Sequence, residues 1–158
     1  SERGPSYQQA FTWIKRHAYH RVALLLPRDP ALSATGAETV HAYTKVFGEK
    51  PNGSLTRLGT MTYADGYSAA EYYVSNNLNP DFIFANGDDI ATGVAQYYKD
   101  RSLPVPGLMG QVKQLSGQLL GFPTIDHHYR DVGAAALRLA TGAASGQVGI
   151  HSDFISRR

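Results

Sequence analysis

Two short, unbroken apolar runs constrain this chain more than any other feature. Val22-Ala23-Leu24-Leu25-Leu26 stops at Pro27, and Phe82-Ile83-Phe84-Ala85 stops at Asn86-Gly87. Runs this short, each closed by a breaker, read as strands rather than helices. With no polar residue inside them, both are expected to be covered on two faces, as in a parallel sheet. The stretches around them have helical spacing. Residues 7–16 carry Phe11, Trp13 and Ile14, and residues 33–47 carry Ala37, Val40, Tyr43, Thr44 and Phe47 without an internal proline. A helix opening near Asp65-Gly66 and closing at Asn79-Pro80 follows, with Ser68 and Glu71 as its capping box. A further helix covers residues 90–99, with the Asn86-Gly87-Asp88-Asp89 turn ahead of it.

The remaining elements are weaker. Residues 55–61, 108–112 and 122–126 read as strands, residues 132–140 as an alanine-rich helix, and residues 148–155 as a last strand. Strand and helix alternate along the chain, which is the signature of parallel βαβ units. The predicted fold class is therefore α/β, a doubly wound, Rossmann-like parallel sheet. With right-handed crossovers, helices lie on both faces. Ligands of such folds bind beyond the carboxyl ends of the strands. That singles out four loops: residues 27–35, 61–66, 86–89 and 111–117.

Composition narrows the chemistry. A chain of 158 residues is expected to form one domain, large enough to bury about 70% of its unfolded surface without staples. It has no cysteine, which excludes disulfides, thiolate catalysis and thiolate metal sites. Fifteen Lys and Arg against thirteen Asp and Glu leave +2, too small a surplus for a dedicated nucleic-acid surface. No apolar run approaches the length that spans a membrane, and the chain opens Ser1-Glu2-Arg3 without a leader pattern, as a piece excised from a longer protein would. A cytoplasmic location is expected.

Few motifs promise catalysis. The loop after the first strand, from Pro27 to Ser33, has neither a dinucleotide-binding glycine pattern nor a Walker lysine, and no nucleophile elbow occurs. His127-His128 and His17 with His20 have no carboxylate at a metal-ligand spacing, so no metal or other cofactor is expected. Asp88-Asp89 are better suited to a helix N-terminus than to acid–base work, although a carboxylate at a strand's end can hold ligand hydroxyls. Tyr72-Tyr73 and Tyr97-Tyr98 suit either the core or an interface. Tyr63 and Tyr129, near strand ends, suit either stacking on a ligand or the core. Lys15, Arg16, His17, His20 and Arg21 fit a helix C-terminus better than a nucleic acid.

Several segments, in order, resemble the effector-binding core of the LacI/GalR family. They are Ile14-Lys15-Arg16 through Val22-Ala23, Phe84 through Val94, Leu103-Pro104-Val105-Pro106, Leu108-Met109-Gly110, and Pro123-Thr124-Ile125 followed by Gly133. The resemblance implies a periplasmic-binding-protein-like type I subdomain, with residues 1–158 as a single unit from the C-terminal part of a longer regulator. It implies a small effector, sugar-like or related, held in a cleft whose closure is coupled to DNA affinity. It also implies a homodimer, contact with DNA only through a helix-turn-helix outside this chain, no membrane and no enzymatic activity. Half of a periplasmic-type solute-binding protein is the alternative, and a small α/β enzyme a third reading. Carried onto this sequence, Asp88 matches the family's turn aspartate and Gly87 replaces the asparagine before it, with Asn86 adjacent. Tyr129 matches the pocket aromatic. Val112 stands where the family has an effector-binding aspartate, and the arginine expected near Ala37-Glu38 is absent, which leaves three readings: a more apolar ligand, replacement by Asp29, Thr35 and Tyr63, or a site that has decayed. The expected ligand-binding set is Asp29, Thr35, Tyr63, Asn86, Asp88 and Tyr129.

Overall fold

The computed structural model describes residues 3–110 and two short strands further along the chain. In order these are α1 (Arg3–Arg16), β1 (Val22–Leu24), α2 (Ala34–Phe47), α3 (Tyr63–Ser75), β2 (Phe82–Phe84), α4 (Asp88–Asp100), β3 (Gly107–Met109), β4 (Thr124–Ile125) and β5 (Phe154–Ile155). β1, β2 and β3 form one parallel sheet in that order. β4 and β5 pair antiparallel as a second sheet, alongside α1. The expected strands at 122–126 and 148–155 thus pair with each other and not with the main sheet. The expected helix at 132–140 lies outside the described residues.

Alternation along the strands feeds two cores. Val22, Leu24, Leu26, Phe82, Phe84 and Met109 face α1 and α2, where they meet Tyr7, Ala10, Phe11, Ile14, Ala42 and Tyr43. Ala23, Leu25, Ile83, Ala85 and Leu108 face α3 and α4, where they meet Ala70, Tyr73, Ile90, Val94 and Tyr98. Both faces of the sheet are therefore covered, as the apolar runs require. Each large apolar side chain withdrawn from water contributes about 1.5–3 kcal/mol. Phe84 is held by rings on one side, 6.1 Å from Tyr7 and 4.9 Å from Phe11 between centroids. The buried positions of α1 (Tyr7, Ala10, Phe11, Ile14) recur at three and four residues, which is one face of a helix. The helix itself starts earlier than its apolar stripe, because Gly4 and Pro5 fall in the first turn, where proline costs no hydrogen bond.

The edge beside β1 departs from the expected strand at 55–61. Only Arg57 bridges Leu25 there. Its N–H donates to the Leu24 carbonyl, and the Leu26 N–H donates to the Arg57 carbonyl, each at 2.9 Å. Gly59, at φ 77°, then turns the chain through the left-handed region, so the ladder cannot continue. The bridge still places this segment on the far side of β1 from β2. The chain thus runs from β1 outward to one edge and back across to β2, and the crossover direction reverses beside β1.

Helix ends also differ in detail. Ser33 caps α2, its Oγ accepting the Gly36 N–H at 3.2 Å, and Gly48 closes it at φ 77°. The capping box of α3 is Thr62 with Asp65, not Ser68 with Glu71. The Thr62 Oγ1 accepts from the Asp65 N–H at 3.1 Å, and the Asp65 carboxylate accepts from the Thr62 N–H at 3.1 Å. α3 ends at Ser75, four residues short of Asn79. Asn77 and Asn79 turn the chain at φ 54° and 51°, a conformation asparagine tolerates. α4 begins at Asp88, with Gly87 as N-cap and no side-chain cap bond, so Asp88 and Asp89 lie in the first helical turn.

α3 and α4 cross at backbone distance. A Cβ on Gly66 would overlap the Ile90 carbonyl, and one on Gly93 would overlap the Tyr63 carbonyl. Glycine on each helix is what permits the crossing. Alanine would add about 1 kcal/mol of helix propensity, but here it would collide with main-chain oxygen, and overpacking costs about 1–3 kcal/mol or more. Gly93→Ala should therefore be destabilising. Urea unfolding is expected to show a lower midpoint at unchanged slope; an unchanged or raised midpoint would contradict the crossing.

Candidate functional site

Among the described residues, three loops leave the carboxyl ends of the strands and of the Arg57 segment: 27–35, 61–66 and 86–89. The fourth loop expected from the sequence, 111–117, lies outside the described residues. Specific contacts hold the three together. The Thr60 N–H and Oγ1 both donate to the Leu26 carbonyl, at 3.1 and 3.0 Å, joining the first loop to the second. The Gly66 and Gly93 crossing joins the start of α3 to the start of α4. The Ala85 N–H donates to the Met109 carbonyl at 2.7 Å, joining β2 to β3 immediately before their loops begin. This is the carboxyl edge of the sheet next to the point where the winding reverses, the position where open α/β sheets bind ligands.

The expected residues fall here with different accessibility. Asp29 is exposed. Its Oδ1 accepts the Ala31 N–H at 2.8 Å and its carbonyl accepts the Leu32 N–H at 2.8 Å, so it also builds the turn. Thr35, in the first turn of α2, is half-buried, and its carbonyl accepts from the Thr39 hydroxyl at 2.7 Å. Tyr63 opens α3 with 44% of its surface exposed. Asn86 is half-buried at the end of β2. Asp88 has no exposed surface; its carboxylate lies against Gly110, where a Cβ would overlap it, and its carbonyl accepts from the Thr92 hydroxyl at 2.8 Å. Asp89, next along the chain, is the exposed carboxylate of that turn. Tyr129, Val112, Gly133 and His127-His128 lie outside the described residues.

Sequence reasoning passed over Leu32 and Met61. They are 74% and 65% exposed, and both belong to the crowning loops. The available signal was a large apolar residue inside a short polar loop with no periodic partner. It also passed over Thr60, a buried hydroxyl that ties two of the loops together.

Other candidates take structural roles. The Asp81 carboxylate accepts from the backbone N–H of His20 and Arg21 at 2.8 and 2.9 Å. The Arg21 guanidinium donates to the carbonyls of Leu78 and Asn79, and Lys15 donates to the Val46 carbonyl at 3.1 Å. Much of the basic cluster is thus spent on carbonyls at the amino end of the sheet, opposite the loops. His17 stacks on Trp13 at 3.9 Å between centroids. Tyr73, Tyr97 and Tyr98 are core residues; burial raises the Tyr73 phenol well above its ordinary pKa, and its hydroxyl donates to the Leu55 carbonyl at 2.6 Å. No group of three or more metal-ligating side chains occurs among the described residues. No helix among them is long and apolar enough to cross a membrane.

Asp65 carries a pH consequence. The N–H groups of Met61 and Thr62 donate to its carboxylate at 2.9 and 3.1 Å, with the Met61 bond the larger cause of a pKa held below the ordinary value. A depressed carboxylate pKa adds stability above its unfolded value, and that stability is lost as pH falls through the folded one. Melting temperature against pH should therefore fall less steeply on the acid side for Asp65→Ala than for the unaltered chain. Parallel acid limbs would contradict this role.

Comparison with known proteins follows the same lines. No family model matches the chain. Over 139 residues it is 27% identical to Catabolite control protein B of Bacillus subtilis (strain 168), covering 88% of this chain and 44% of that protein. The LacI family transcriptional regulator from Lactobacillus casei, solved with bound sucrose, superposes at TM-score 0.74 with 18% identity, over 99% of this chain and 63% of that one. A sugar-binding transcriptional regulator of the LacI family from Escherichia coli, solved with phosphate, superposes at 0.65 with 16% identity, over 79% of this chain and 47% of that one. The chain therefore shares its fold with these LacI-family regulators and spans about half the length of the proteins it matches.

Proposed function

We propose that this chain is the ligand-sensing and dimerisation module of a LacI-type transcriptional regulator, taking a small metabolite at the carboxyl edge of its sheet. The observation that carries this reading is the convergence of loops 27–35, 61–66 and 86–89 on that edge, in a fold whose Lactobacillus casei relative was solved with sucrose. The residues assigned to contact are Asn86 and Asp29 as polar partners, Thr35 as a hydroxyl and Tyr63 as an aromatic wall. Tyr129 would complete the set. Asp88 acts from below, fixing the turn that presents Asn86 and Asp89.

The mechanism is a shift of population. The effector binds one arrangement of a two-walled cleft better than another and biases the protein toward it by that difference in affinity. In the assembled regulator the bias would reach DNA through a helix-turn-helix lying outside these residues, and the regulator would act as a homodimer. The proposed role is binding without turnover.

One wall of a cleft removes less ligand surface from water than two, and affinity falls accordingly. Sucrose titrated into the 15N-labelled chain is expected to bind weakly, at about millimolar dissociation constants, and to shift amides within 27–35, 61–66 and 86–89. Shifts elsewhere, or none under a well-dispersed spectrum, would overturn the reading. Turnover of a glycoside would overturn the non-enzymatic part of it.

A further inference from the structure

We infer that, if the loops form the effector site just proposed, the effector is an uncharged molecule with an apolar face, and not a phosphate ester or carboxylate. Helix N-termini are ready anion sites because their leading N–H groups lack partners. Here α2, α3 and α4 all begin at the crowning loops, and at α2 and α3 the chain's own side chains already accept from backbone N–H groups. At α3 the carboxylate of Asp65 takes the N–H of Met61 and Thr62, and the Thr62 Oγ1 takes the N–H of Asp65. At α2 the Ser33 Oγ takes the Gly36 N–H, and the Asp29 carboxylate takes the Ala31 N–H just before it. α4 has no side-chain cap bond, but it carries Asp88 and Asp89 in its first turn. In the described loops Arg28 is the only Lys or Arg, against Asp29, Asp65, Asp88 and Asp89. An arriving anion would meet bonded donors at α2 and α3 and like charge at α3 and α4.

Apolar surface is left available at the same place. The large apolar side chains exposed among the described residues are Leu32, Leu58, Met61, Tyr63 and Leu103, and three of these five stand on the crowning loops. Tyr63 is fixed from behind, since its carbonyl rests against Gly93. Its ring is carried on a fixed length of backbone and stands exposed at the rim. A ligand with an aryl or other flat apolar group gains from such a surface, whereas a bare polyol gains little.

Three probes separate these terms: glucose, phenyl β-glucoside and glucose 6-phosphate, each titrated into the 15N-labelled chain. Phenyl β-glucoside is expected to bind about tenfold tighter than glucose, with the largest amide shifts at Leu32, Met61 and Tyr63. Glucose 6-phosphate is expected to bind more weakly than glucose. Tyr63→Ala should remove most of the aryl gain, and Asp89→Lys should raise glucose 6-phosphate affinity about two- to fivefold. Glucose 6-phosphate binding tighter than glucose, or no gain from the phenyl group, would overturn the inference while loop shifts leave the site itself standing. No response at the loops to any probe would overturn the site and the inference together.

Discussion

β2 is the strand on which the arrangement depends. It is three residues long, it is bonded on both sides, and each of its side chains is completely enclosed. A parallel strand in that position cannot be reached by a tight turn, so the chain must cross over with a helix before and after it. Phe82 and Phe84 demand a cover on one face and Ile83 on the other, which requires helices on both. Once these demands are met, the carboxyl ends of β1, β2 and β3 point the same way, and the segments that follow them are brought to one edge.

What that edge can recognise is set by how its backbone donors are used. Three helix N-termini gathered together would ordinarily create a positive region suited to phosphate. This chain supplies Asp65 to the start of α3 and Asp88 and Asp89 to the start of α4 from its own sequence. The same carboxylates that stabilise α3 and α4 oppose the anion preference that these ends would otherwise confer. Stability of the scaffold and selectivity at the rim are two results of one placement of charge.

The strands and helices were readable because they follow from strong local signals. Val22 to Leu26 and Phe82 to Ala85 have no polar residue, and Tyr7, Ala10, Phe11 and Ile14 repeat at helical spacing. The failures lie where tertiary contact or backbone conformation decides. Residues 55–61 look like a strand, but Gly59 takes a left-handed conformation after a single bridge. Ser68 and Glu71 have the spacing of a capping box, yet Thr62 and Asp65 are the pair at the true start of the helix. Asn79-Pro80 is an evident stop, but α3 ends earlier because Asn77 can turn the chain by itself. At the site, loop position was legible and accessibility was not. Nothing in the string Asn-Gly-Asp-Asp says that Asp88 is enclosed beneath Gly110 while Asp89 faces solvent.

Enclosure of Asp88 has its own consequence for how the rim keeps its shape. A buried carboxylate is costly unless neighbouring groups satisfy it, so the turn from Asn86 to Asp89 has few alternative positions. Gly110 must remain without a side chain for that carboxylate to fit, which couples the end of β3 to the start of α4. The α3–α4 crossing at Gly66 and Gly93 couples the start of α4 to Tyr63. The donor groups of Thr60 couple the segment before Tyr63 to the loop that follows β1. The loops therefore act as a linked set, and a ligand that displaced one would have to displace its neighbours. Such a set favours movement of the rim as a unit.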